Sequence, residues 1–365
     1  MDKATNQNQD TLILNPRLVT LKDIALHAKV SEVAAGRVLL GSGKNSVRVG
    51  AQTADRIRQI ADQLGYQPNR VAQQLAGKRS KVVGVIIDSY APQIDFVAMS
   101  EMERQTAKRG YRFMVGQSHG ELDRIEAYSM DFLQRGIEGI ICISHQYPAT
   151  ASKISDILGK LKNVVYIYRP SVLDENTCFV DIDIAEGIYQ AFEYLVQKGR
   201  KRIAFLPIHL ESATLTSRYE GYMRALSGHN GYEPIICKLN DLGLEGNLDD
   251  FNEPKQEIIN LAVKKLVEEH HADAILATND IMGCRVIKAI HQRGLKVPDD
   301  VAVIGFDNLQ IGTISDPELT TIDQQSKDLS HAAIDMLIDL IEGKDLSRDQ
   351  RQIVIKPKLV IRDSA

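Results

Sequence analysis

From residue 81 onward the chain repeats one pattern: a short apolar run, then a stretch with apolar residues at helical spacing. The runs are 82–87, 112–115, 139–143, 164–167, 178–182, 202–206, 235–237, 274–277 and 301–304. Helical stretches lie at 96–108, 123–135, 184–197, 217–226, 255–269 and 280–292. Alternation of this kind predicts parallel sheets covered by helices on both faces, because a parallel pair needs a long crossover connection and a helix supplies it. The cycle restarts near residue 183, so the pattern predicts two doubly wound halves. In such sheets a ligand binds beyond the carboxyl ends of the strands, which confines the search for a site to a few loops.

The first 80 residues are different. Residues 17–80 hold 11 Lys/Arg against 4 Asp/Glu, a net +7, which leaves −11 for the rest of a chain whose total is −4. A basic module on an acidic body fits nucleic-acid contact confined to one end. Residues 1–18 are polar, lack an apolar core and read as a disordered tail rather than a secretory signal. Thr20 is placed to cap a helix over 21–28, and Ser31 a second over 32–39. Two short helices across a tight turn form a helix-turn-helix, whose second helix enters the major groove with its first residues on base edges. Glu32 can accept from cytosine, Val33 can meet a thymine methyl, and Arg37 can reach guanine or phosphate. A third helix over 53–64 turns Ile57, Ile60, Ala61 and Leu64 inward. Between Pro68 and Gly77 a helix of about eight residues is too short to stand alone, the threshold in water being roughly 12–15. With Arg70, Lys78 and Arg79 beside it, its partner is expected to be a polyanion.

The stretches Val19-Thr-Leu-Lys-Asp-Ile-Ala25, Val30-Ser31, Arg37-Val-Leu39, Leu64-Gly-Tyr-Gln-Pro-Asn-Arg70 and Val71-Ala-Gln-Gln-Leu-Ala-Gly77 resemble, in order and spacing, the lactose repressor/galactose repressor family of bacterial transcription regulators. The resemblance runs on through the chain. It implies a small all-α helix-turn-helix DNA-binding domain (19–67), a hinge helix (68–80) and an α/β periplasmic-binding-protein-like body (81–365). That body would bind effector and dimerise, with crossovers between its two doubly wound subdomains near 183, 309–323 and 345–352. The implied partners are double-stranded operator DNA, a small effector such as a sugar or related polar metabolite, and a second copy of the chain. The DNA-contacting set is Thr20, Ser31, Glu32, Val33, Arg37, Lys44, Arg48, Asn69, Arg70, Ala72, Gln73 and Leu75. Two departures stand out. Ala34-Ala35-Gly36 occupies the place of the family's usual Thr-Val-Ser, removing two hydroxyls, and the loop 40–52 is longer, with Lys44 and Arg48 available to restore phosphate contacts.

For the effector, the resemblance places Arg218, Asn279 and Asp307 in the cleft. A forked donor, an amide and a carboxylate suit paired hydroxyls. Asp280 reads as the cap of its helix. Many relatives carry an Asp after the fourth strand; here Tyr166-Ile167-Tyr168-Arg169 puts Tyr168 there. Ser89 and Tyr90, beside Asp88, and Ser144, beside His145, complete the set.

The rival classes are a cytoplasmic sugar-binding protein or an enzyme on the same α/β fold. The chain has no GxSxG elbow, no GxxxxGK[ST] loop and no HExxH, and neither cofactor nor metal is expected. Cys142, Cys178, Cys237 and Cys284 form no CxxC pair and read as free thiols of a reducing cytoplasm, the nucleoid being the expected place of work. No apolar run is long enough to span a membrane. The C-terminal stretch from Gln352 to Ala365 reads as one final strand with no heptad repeat after it.

Overall fold

The computed structural model describes residues 19–40, 49–68, 77–143, 148–207, 213–242 and 254–365. Lys44, Arg48, Asn69, Arg70, Ala72, Gln73, Leu75, Ser144 and the 1–18 tail lie outside them. The chain divides into two compact units, Met1–Ser80 and Lys81–Ala365.

In the first unit α1 is Leu21–Ala28, α2 is Glu32–Leu40 and α3 is Ala51–Gln63. A capping box starts α1: the Asp23 amide donates to Thr20 Oγ1 at 3.4 Å, and the Thr20 amide donates to Asp23 Oδ2 at 2.8 Å. Lys29 closes α1 in the left-handed region, with φ 51. The Ala34 amide donates to Ser31 Oγ at 3.2 Å, so Ser31 serves the start of α2. Ile24, Ala25, Ala28, Ala35, Ile57 and Ala61 form the core. Ala34, Ala35 and Gly36 are all buried, so at these positions the absence of larger side chains lets α2 lie close to its neighbours.

The second unit holds two six-stranded sheets. The first runs β11-β5-β4-β3-β1-β2 and is parallel throughout. Its strands are β1 (Val82–Ile87), β2 (Arg112–Gln117), β3 (Ile140–Cys142), β4 (Val164–Ile167), β5 (Cys178–Ile182) and β11 (Gln352–Ile355). The second sheet runs β12-β10-β9-β8-β6-β7, with only β12 antiparallel. It comprises β6 (Ile203–Leu206), β7 (Ile235–Ile236), β8 (Ala274–Ala277), β9 (Ala302–Phe306), β10 (Thr320–Asp323) and β12 (Lys358–Val360). The helices are α4 (Gln93–Lys108), α5 (Leu122–Gln134), α6 (Pro148–Leu158), α7 (Ile184–Gln197), α8 (Ala213–Ser227), α9 (Gln256–Lys264), α10 (Asp280–His291), α11 (Ser326–Ile341) and α12 (Arg348–Arg351). After α9 the residues Lys265–Glu269 widen into a π-helical turn.

One apolar cluster runs through both sheets, joining Val83, Val85 and Ile167 to Phe205, Tyr222, Phe306 and the inner face of α11. The chain crosses between subdomains after Ile182, between Asp323 and Ser326, and between Ile355 and Lys358. The last crossing lies beyond the 345–352 span expected for it, and the second lies just past the end of 309–323. The stretch from Gln352 onward is not one strand but two, one on each sheet. Pro357 separates them, since a proline cannot donate to a ladder. The alternation read from the sequence ends at residue 304 and does not include β10 or α11, although Leu329, Ala333, Leu337 and Ile341 lie at helical spacing. Cys142, Cys178 and Cys237 are buried free thiols and Cys284 is half-buried. No helix among the described residues is long and apolar enough to cross a membrane.

Candidate functional site

The strand ends of both sheets carry the polar side chains of the site. Tyr168 follows β4 and Asp307 follows β9, and both hold left-handed backbone, with φ 67 and 117. Such conformations cost about 1–3 kcal/mol each and persist where neighbours over-determine them. Here the Tyr168 amide donates to Val180 O at 2.8 Å and the Asp307 amide to Ile322 O at 2.8 Å, so the ladder itself pins both bends. The effect is to turn both side chains into the interior, at 7% and 4% exposure.

Arg218, from α8, is buried too, with its guanidinium 4.2 Å from the centre of the Phe306 ring. Its Nη2 lies 3.7 Å from Asp307 Oδ1. Gln324, on the second crossing, donates through Nε2 to the same Asp307 oxygen. From the other subdomain Tyr168 donates its hydroxyl to Asp95 Oδ1 at 2.6 Å. Asp95 sits in the first turn of α4 and is fully enclosed.

Burial pushes the Asp307 carboxyl well above the usual range, and the Arg218 guanidinium opposes it. Burial lowers Arg218, with Asp307, Tyr168 and Asp95 opposing. The guanidinium keeps its charge because its ordinary value is so far above neutrality. Burial also raises the Tyr168 phenol well above its ordinary value, and the adjacent Asp95 adds to this, so Tyr168 is a neutral donor. Groups from both subdomains thus share one field.

The other candidates fall out differently. Asn279, not Asp280, caps α10: the Met282 amide donates to Asn279 Oδ1 at 2.7 Å. Asp280 instead lies one residue inside, fully buried, accepting from the Leu309 amide at 2.6 Å and from Thr321 Oγ1. The reason is geometric: the β8 end enters the helix with extended backbone at Asn279, which is where a cap must be. Gly305 makes room for Asp280, since a Cβ there would lie 2.3 Å from Asp280 Oδ1. Asp88 braces two loops, accepting from the Tyr90 amide and from Ser118 and Gly120. Tyr90 is 57% exposed and outside the converging group, whereas the Ser89 hydroxyl is buried without a hydrogen-bond partner among the described residues. Sequence reasoning missed Asp95, Phe306 and Gln324. Asp95 follows β1 by one loop and could have been found by extending the strand-end rule into the first helical turn.

At the other end of the chain, Thr20, Ser31, Glu32 and Val33 are exposed and Arg37 is half-buried. An uncovered Val33, 66% exposed at the head of α2, is what contact with a base edge requires.

Residues 20–69 match a family model described as bacterial regulatory proteins, lacI family, and residues 192–365 one described as a periplasmic binding protein-like domain. A protein named HTH-type transcriptional repressor PurR from Yersinia enterocolitica is 30% identical over 354 residues, 95% of this chain and 97% of that one. A protein of the same name from Histophilus somni is 29% identical over 350 residues, 95% and 99% of the two chains. Among solved structures, the lac repressor dimer bound to operator and an anti-inducer superposes with a TM-score of 0.78 at 24% identity, over 95% of this chain and 99% of that one. A complex of the transcriptional regulator CelR with cellobiose gives 0.65 at 22% identity, over 95% and 100%. The two structural likenesses speak to the fold.

Proposed function

Since the chain belongs to the lacI family of bacterial regulatory proteins, we propose that it is a homodimeric repressor whose operator affinity is set by a small polyhydroxylated effector in the body. It is a regulator and not an enzyme. The observation that carries the effector reading is the convergence of Tyr168, Asp95, Arg218 and Asp307, buried polar groups from four separate segments of two subdomains, held in part by strained backbone. Relatives of the fold include a complex with cellobiose and one with D-xylulofuranose, which supports a sugar as the ligand here.

At the DNA end, Glu32 and Val33 read base edges while Thr20, Ser31, Arg37, Lys44 and Arg48 position the unit on phosphates. Two copies place two reading helices on half-sites about 34–36 Å apart. The hinge residues Asn69, Arg70, Ala72 and Gln73 line the minor groove, with Leu75 wedged between base steps at the operator centre. The chain works in the cytoplasm, at the nucleoid. Effector binding changes the spacing of the two hinges and so permits or forbids their pairing, a coupling that runs equally in both directions.

The test is paired. A thermal-shift screen of sugars on the full chain should find a stabilising ligand, because a cleft ligand raises stability by mass action. Arg218→Ala or Asp307→Ala should then abolish the response of operator binding to that ligand and leave operator binding itself largely intact. Normal responses in both variants would refute the site.

A further inference from the structure

Asn308 follows Asp307, and the two make one continuous left-handed bend after β9, with φ 117 and 56. The segment that crosses to the first subdomain grips this bend. The Asp307 amide donates to Ile322 O at 2.8 Å, the Asn308 amide donates to Thr321 Oγ1 at 3.3 Å, and Gln324 reaches Asp307. The Asn308 side chain makes a further tie. Its Nδ2 donates to Asp323 Oδ2 at 3.1 Å, and its Oδ1 accepts from Arg362 Nη2 at 2.5 Å. Asp323 Oδ1 in turn accepts from the Gln325 amide at 2.6 Å. Gln325 is itself left-handed, with φ 55, and Ser326 after it opens α11. That helix packs on the first subdomain, where Ser330 Oγ donates to Ala98 O of α4 at 3.0 Å.

Chemistry fixes the polarity of this chain of bonds. A guanidinium only donates and a carboxylate only accepts, so the amide between them sits one way round. Braced at both ends by charged groups, it cannot turn without losing two charge-assisted bonds. Gln324 also links crossing and bend, but through a longer stem and with its Oε1 unpartnered among the described residues. A shift at Asp307 therefore moves Asn308, Asp323 and the entry to α11 together, a contiguous path of the kind that carries coupling. We propose that Asn308 is a positioning residue: through Asp323 it ties the bend that presents Asp307 to the 323–326 crossing, and so sets the angle between the subdomains. Its part in regulation rests on the cleft being the effector site.

The test needs no ligand. Hydrogen exchange on the full chain reads the Gln325 amide, which Asp323 holds, and the Leu329 amide, which donates to Gln325 O at 3.0 Å in the first turn of α11. Asn308→Asp keeps the size, the tolerance for a left-handed bend and the Arg362 contact, but turns a second carboxylate toward Asp323. Gln325 and Leu329 should then exchange about 10- to 100-fold faster, the usual worth of a hydrogen bond to a charged group. The Asp307 amide, held by Ile322, should keep its protection. Adding Asp323→Asn makes donor and acceptor change places: the new amide gives its proton to the new carboxylate, its oxygen accepts from Gln325, and protection should return. Equal loss at Asp307 and Gln325 in Asn308→Asp, or no return in the double variant, would make Asn308 a plain strut of the fold and overturn the proposal. Arg218→Ala supplies the perturbation in the cleft. It should change exchange at Gln325 and Leu329 by about 5-fold or more, the low end of ordinary coupling, in the unmodified chain and in the double variant. In Asn308→Asp it should leave them unmoved. The same change in every background, or none in any, also overturns the proposal. These readings involve no sugar, so their failure leaves the effector assignment standing, and that assignment can fail in the sugar screen while the coupling holds.

Discussion

Asp280 makes a pH-dependent prediction that can be worked from its surroundings. Burial raises its carboxyl from the ordinary 3.8 to about 7, against the lowering effect of the hydrogen bonds from Thr321 and the Leu309 amide and of the nearby Arg362 charge. Between those two values the folded chain holds a proton that the unfolded chain has released. Stability therefore falls as pH rises through this window, and the full penalty is present above about 7. At 1.36 kcal/mol per tenfold change in proton affinity, the penalty is about 4 kcal/mol at most. Asp280→Asn keeps the shape, since an amide oxygen can accept from Leu309 and the amide nitrogen can donate to Thr321 Oγ1. The variant should match the unmodified chain only below the ordinary 3.8, already exceed it at pH 5 by about 1–2 kcal/mol, and exceed it at pH 8 by up to about 4 kcal/mol. In a body of this size each kcal/mol is worth roughly 2–4 °C. Urea and thermal unfolding at half-unit steps from about pH 3.5 to 8.5, which spans the window, would measure it. Because Asp307 is raised by burial too, the readout is the difference between the two proteins rather than either curve alone. Parallel curves across the range would refute the reasoning.

Gly221 faces α7 so closely that a Cβ would lie 2.3 Å from Ala185 O, a backbone atom with nowhere to go. Gly221→Ala should cost about 1–3 kcal/mol and, by shifting the helix that carries Arg218 one turn away, weaken the effector response; an unchanged melting temperature would contradict this. Thr20→Ala removes the hydroxyl side of the capping box on α1; the loss of about 1 kcal/mol should appear as faster amide hydrogen exchange in α1, and Thr20→Ser should restore protection. Leu75→Ala should weaken operator binding far more than binding to random DNA, as expected for a wedge at a specific step; an unchanged ratio of the two affinities would make the hinge a passive tether.

Much of this protein was legible because periodicity is a local property. The apolar runs of β1, β4, β6 and β8 and the caps at Thr20 and Ser31 depend on residues within a few positions of one another, so the pattern displays them directly. Arg218, Asp307 and Tyr168 could be nominated because strand ends are where such sheets bind ligands, and because the resemblance picks out those loops. What the sequence could not settle is which acceptor meets which donor. Asp95 and Tyr168 are 73 residues apart, and their hydrogen bond exists only because α4 and the end of β4 are brought together by the sheet order. The same holds for Asp280, which by spacing looks like a cap. It is a buried acceptor instead, because Thr321 and Leu309 arrive from distant strands and loops to meet it. The two short strands at the C-terminus show the limit most plainly. Lys356-Pro357 already marks a break between the apolar runs 353–355 and 359–360, yet nothing local says that the fold gives β11 to one subdomain and β12 to the other. Local chemistry decides that a strand forms. Which sheet takes it depends on which edge the rest of the chain has left unpaired, and that is a property of the tertiary structure alone.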